Sequence, residues 1–268
     1  MNPTATHISI DKYAKIIFGY FLLLYLYRMH SGTMLIDSYS SPIKAAGTNY
    51  TYWLALLLQF PQFINQHYLI SWCLDFGILL LIIVCLFIRK QRWIWASLLL
   101  LLFFVKCFTI QLYACSHTKS ISCNFVALLP LCFRKEKNAH LMIEFGRYFL
   151  IYILVISAYH KFVNGSLQNP ENFSSILMHQ HLDLATLYPQ HISYKIATFL
   201  IEHTTLATFL FYILFVTQLC FVLGIFTKQF DKWLFLLLIA FAVLTYFFMR
   251  IYNFDILLLG ITLIYFKE

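Results

Sequence analysis

The chain has 268 residues, 61% of them apolar and 11% charged, against roughly 45–50% and about 25% in soluble domains. That composition excludes an ordinary soluble domain and identifies an integral membrane protein. No polar stretch is long enough for a separate soluble core, so one integral membrane domain over residues 1–268 is expected. The formal charge of +8 is read through topology, because Lys and Arg in membrane proteins mostly set orientation; nucleic acid is not an expected partner.

The opening segment MNPTATHISIDKYAK has no small-residue cleavage site behind a short apolar core, so Tyr13 to Tyr27 reads as a retained first span. A mixed outer-face loop of about 30–67 follows. Its apolar patch, Tyr52 to Phe60, is ended by Pro61 and falls short of the ~20 residues a crossing needs. Tyr68 to Ile88 crosses and ends in Arg89, Lys90 and Arg92, and Trp93 to Tyr113 crosses back. CSHTKSISC then reads as a tight polar loop. The short apolar run Asn124 to Phe133 and a second basic cluster, Arg134, Lys135 and Lys137, come after it. If both clusters are cytoplasmic, that short run must return through the membrane, thin, tilted or partly extended.

Leu141 to Phe162 is the next crossing. The outer-face loop of about 163–204 carries two amphipathic pieces, around Ser175–Leu187 and Ile192–Ile201. Leu206 to Phe226, Trp233 to Phe248 and Ile251 to Phe266 complete the set. The expected fold is an all-α polytopic transmembrane bundle of about eight crossings, one of them short, with both termini cytoplasmic. The lipid bilayer is the first partner.

Ionisable groups inside spans are expensive and mark candidate sites. Lys161 stands at the mouth of its span beside His160 and ahead of a Gly/Asn/Pro loop. Desolvation there would make its amine a base or nucleophile; the competing reading is an anchor that snorkels to the headgroups. His160 points about 100° away on a helix, so the two need not share a site. Asp75, Lys106 and Asp255 fall in the outer or middle parts of their spans and, with Lys161, could surround an outward-facing pocket or simply pair for folding. Glu144 and Arg147, three apart, are expected to neutralise each other. His179 and His181 would lie on one side of an extended segment and are weak metal candidates; no metal is expected. Cys115 and Cys123 bracket an outer loop, where a disulfide is the favoured reading and two free thiols the alternative.

The run ILVISAYHKFVNGSLQNPENFSSIL resembles a segment of the HTTM domain, the membrane domain shared with vitamin K-dependent gamma-carboxylases. There an apolar helix ends in an aromatic, small residues and a lysine before a polar stretch and a second helix. The run ISCNFVALLPLCF with the charged segment after it is similar to the family's arrangement. The resemblance implies a catalytic role for the matching Lys161 and admits reduced quinone as a cofactor. Two departures point away from vitamin K carboxylation. The carboxylases place a functional histidine after an asparagine where this chain reads Asn124-Phe125, and the chain stops at Glu268, directly after its last span. In size it is more similar to the short branch that includes the membrane component maturing the sporulation-delaying peptide toxin of bacteria. That branch implies maturation or export of a secreted antimicrobial peptide at the outer face of the bacterial plasma membrane, with a small companion protein. A carboxylase- or quinone-linked oxidoreductase and a non-enzymatic chaperone or transporter are the alternatives.

Overall fold

Long apolar runs free of proline become helices here, and some of the turns between them fall at a left-handed residue, as at Gly32, Gln91, Gly165 and Arg250. The computed structural model describes residues 9–38, 53–54, 57–110 and 118–265. Among these residues there are helices and turns and no strand. Five helices are long and apolar enough to cross a membrane, and only 28–44% of each apolar window is buried inside the protein. The remainder is half-buried or exposed and mostly apolar, as lipid-solvated helices require.

The described residues divide into two units, one within Ile8–Glu144 and one within Phe145–Glu268. The first contains α1 (Ile10–His30), α2 (Phe60–Gln66), α3 (Tyr68–Phe87), α4 (Arg92–Ile110) and α5 (Thr118–Leu128). α3 packs on both α1 and α4. Ile17, Phe18, Ile78, Ile82, Leu99 and Phe103 are all buried, and the Phe21 and Phe103 rings meet edge to face at 5.2 Å. α1 has 21 residues and is rich in tyrosine, two of which tie it to its neighbours. Tyr13 donates to the Ala127 carbonyl at 3.1 Å, and Tyr25 to the Asp75 carbonyl at 3.0 Å.

Two expectations change in this unit. Pro61 does not end an apolar patch; it sits in the first turn of α2, behind Gln59 at φ 56°, where a missing N–H costs nothing. The short run after Cys123 is not extended, since α5 passes into a 3-10 turn over Leu129–Cys132 that packs on α4. Its backbone is thereby hydrogen-bonded within itself, which an apolar surrounding demands. Helix also reaches back to Thr118, into the expected polar loop.

Near the first turn of α1, Asp11 accepts from the Arg92 guanidinium at 2.8 Å, with Arg89 at 3.5 Å and Lys15 at 3.7 Å. The hydrogen bond from Arg92, reinforced by these positive charges, holds the Asp11 carboxyl below its ordinary range.

The boundary between the units falls within α6 (Glu136–Val163). The second unit continues with α7 (Asn172–Gln180), α8 (Leu182–Leu187), α9 (Ile192–Glu202), α10 (Thr204–Leu219), α11 (Leu223–Phe226), α12 (Asp231–Met249) and α13 (Phe254–Tyr265). The expected amphipathic pieces are thus helices, and α7 packs against α9, α10 and α12. α13 lies along α12, and Gly260 permits the approach: a Cβ there would stand 2.5 Å from Leu238 Cδ2.

Candidate functional site

α6 carries a buried stripe at helical spacing, Arg147, Leu150, Ile151, Leu154 and Ala158. Lys161 follows close to its end. The end itself is set by Gly165, at φ +67°. The Ser166 N–H bonds the Lys161 carbonyl at 3.0 Å and the Gly165 N–H bonds the Phe162 carbonyl at 3.2 Å. This is the paired closure that a glycine in the left-handed region gives a helix C-terminus. The Asn-Gly step therefore stops the helix one turn beyond the lysine.

The Lys161 amine is turned toward α10. Nζ donates to Gln218 Oε1 at 2.7 Å and lies 5.5 Å from the centroid of the Phe211 ring. Gln218 is buried, and its amide nitrogen donates to Ser157 Oγ, one turn before Lys161, at 3.5 Å. Phe211 in turn packs on Phe173 of α7, centroid to centroid 5.4 Å. α10 also fastens the loop that follows the lysine: Tyr212 donates to the Leu167 carbonyl at 2.8 Å and Thr208 to the Pro170 carbonyl at 2.9 Å. Sequence reasoning missed Gln218, although it is the one amide in the apolar run Leu206 to Phe226. His160 is exposed, with its ring edge-on to Tyr159 at 6.1 Å.

A second polar cluster lies in the first unit. Lys106 Nζ meets Asp75 Oδ1 at 2.8 Å, both side chains 1% exposed. It also donates to Tyr25 Oη at 2.9 Å and to Met34 Sδ at 3.3 Å. Three acceptors match the three ammonium hydrogens. The other oxygen of Asp75 accepts from the Ile36 N–H at 2.9 Å. A pair so fully satisfied can outweigh the several kcal/mol that desolvating each ion costs.

Of the four residues expected around one pocket, Asp75 and Lys106 are joined in the first unit, while Lys161 and Asp255 belong to the second. Asp255 is buried in the first turn of α13, where the helix dipole favours a carboxylate. Arg147, for which Glu144 was the expected partner, pairs instead with Asp231 through two hydrogen bonds of 2.6 and 2.8 Å. It also donates to the Gly224 and Thr227 carbonyls. α6 buries the arginine on its inner stripe, and Asp231, the first residue of α12, meets it there. An acid at the head of an apolar run was the available signal.

The His179–His181 segment is not extended: His179 lies in α7 and His181 in the turn between α7 and α8. His179 is exposed and His181 buried, its Nδ1 within 3.0 Å of the Leu177 carbonyl, so the alternation that would have aligned two ligands is absent. No group of three or more metal-ligating side chains occurs among the described residues. Cys123 is buried in α5; Cys115 lies outside the described residues, and so does the expected bridge. No family model, curated protein or solved structure matches the chain.

Proposed function

We propose that the chain is an HTTM-like protein of the bacterial plasma membrane, of about eight crossings with both termini cytoplasmic. In this reading it takes part in maturing or exporting a secreted peptide at the outer face. Lys161 is the group that meets the substrate, as base or as charged contact, and a small companion protein assists.

The observation that carries this reading is the inward set of the Lys161 amine against Gln218 and Phe211. An anchoring lysine at a helix end extends to the headgroups. This one is drawn back onto a buried amide and an aromatic face, contacts that orient the nitrogen. The loop after it is pinned to the same helix, so amine and loop keep a defined relation.

The test is co-expression with the peptide precursor and mass spectrometry of the secreted product. Lys161→Ala should abolish mature product while the protein stays in the membrane at its normal level; undiminished product would overturn the assignment.

A non-enzymatic chaperone or transporter is the second reading. It is favoured by Lys106 and Arg147, both of which are bound up in buried ion pairs that serve the fold. Export of unmodified peptide by the Lys161→Ala protein would support it.

A further inference from the structure

Two sets of contacts bring four stretches of chain to one end of the first unit. Asp11, in the first turn of α1, draws in Arg92 and Arg89 from the corner between α3 and α4. Tyr13, close behind it, donates to the Ala127 carbonyl near the end of α5. The Leu129–Cys132 turn comes next and leads within two residues to Arg134 and the start of α6.

Positive charge collects at this end. Lys12, Lys90, Arg134, Lys135 and Lys137 are all exposed, and none of them forms an ion pair with a described carboxylate. Asp11 is engaged by Lys15, Arg89 and Arg92. The other acids nearby are Glu136, exposed in the first turn of α6, and Glu144, two turns further along it. The cations outnumber them, so the excess is left for an anion from outside the protein.

Basic residues at the ends of spans orient a chain without binding anything in particular. What points to a ligand here is the apolar surface beside them. Phe87 is 74% exposed, and Ile88, Trp93 and Ile94 are exposed too, so Arg89 and Lys90 stand between apolar side chains at the ends of α3 and α4. Both helices are long and apolar enough to cross a membrane. Leu141, one turn after Lys137, is 60% exposed. An acidic peptide or a nucleic acid supplies anions but leaves those apolar groups uncovered. A phospholipid with net negative charge supplies both, its phosphate level with the cations and its acyl chains along the helices.

We propose that this end of the first unit binds anionic phospholipid headgroups of the leaflet it lies in. The inference rests on membrane insertion of the chain and is independent of any role with a peptide. Arg134 offers a planar fork to phosphate oxygens, and the lysines add point charges. Each cation near an anionic surface strengthens binding about five-fold.

The experiment uses the full chain purified in detergent, with short-chain phosphatidylglycerol, short-chain phosphatidylcholine and oligo-glutamate as probes and native mass spectrometry as the readout. The parent should retain phosphatidylglycerol in preference to phosphatidylcholine, and high salt should weaken that preference. The triple variant Lys90→Gln, Lys135→Gln and Lys137→Gln should bind phosphatidylglycerol about ten-fold or more weakly. These side chains are exposed, so its melting temperature without lipid should match the parent's. Glu136→Gln should bind phosphatidylglycerol more tightly. Lys195→Gln, an exposed cation of the second unit, should change nothing. The proposal is overturned if the parent retains both lipids equally, if the triple variant retains phosphatidylglycerol as the parent does, or if oligo-glutamate binds in its place. Release of the chain from cell membranes by alkaline wash would instead overturn membrane insertion itself.

Discussion

The Arg147 guanidinium grips the Asp231 carboxylate through Nε and Nη2 at 2.6 and 2.8 Å, with both side chains nearly inaccessible. The same Nη2 reaches the Gly224 and Thr227 carbonyls. One side chain thereby ties α6 to the segment that links α11 and α12. Gly224 leaves room for this meeting, since a Cβ there would come within 2.8 Å of Ile151 Cδ1.

Breaking that pair strands a buried charge. Asp231→Ala should destabilise the protein by about 3–5 kcal/mol, seen as a lower melting temperature in detergent and lower membrane abundance. Arg147→Met with Asp231→Leu should be much less damaging than either single change. A single change without thermal effect would show that the pair does not hold the helices.

The Asp75–Lys106 pair makes a separable prediction in the other unit. Lys106→Met alone leaves Asp75 without its counter-ion and should cost about 3–5 kcal/mol. A double-mutant cycle with Asp75→Leu should give a coupling energy of at least ~1 kcal/mol. Additive effects would rule out the coupling. Tyr25→Phe removes an acceptor from the ammonium and should cost about 1–3 kcal/mol.

The Asp11 cluster predicts a pH dependence. Its carboxyl pKa is depressed in the folded protein, so the folded state binds fewer protons there than the unfolded chain. The resulting stability is present above the unfolded carboxylate value of about 4 and is lost as pH falls through the folded value. Acid titration of melting temperature should be shallower for Asp11→Asn than for the parent. The difference should also shrink in high salt, because the cluster is partly exposed.

At Gly260 an added methyl must push Leu238 and Phe235 aside. Gly260→Ala should cost about 1–3 kcal/mol, measured as a fall in melting temperature. Gly19→Ala, where a Cβ would meet nothing within 4 Å, serves as the control and should be neutral or slightly stabilising.

Gln218→Leu tests the Lys161 arrangement without touching the amine. It removes the acceptor at 2.7 Å and should lower mature peptide several-fold while leaving membrane insertion intact. Product equal to the parent's would place substrate contact elsewhere.

Helices long and apolar enough to cross a membrane, and the lack of strands among the described residues, could be read from composition and run length, because in lipid a backbone must satisfy its own hydrogen bonds and sustained apolar stretches leave it one economical way to do so. The helix end after Lys161 was legible too: an Asn-Gly step supplies the left-handed residue that closes a helix. Partner choice was not legible. Arg147 had Glu144 one turn away yet found Asp231, and Lys106 took Asp75 along with a tyrosine and a methionine that no spacing rule would nominate. Periodicity along one helix says which side is inward. Which residue of another helix waits there depends on how the helices pack, and the low dielectric between them makes that choice worth several kcal/mol. Tertiary structure alone therefore decided which buried charges are bound into the fold and which amine, Lys161, is held against an amide and a ring.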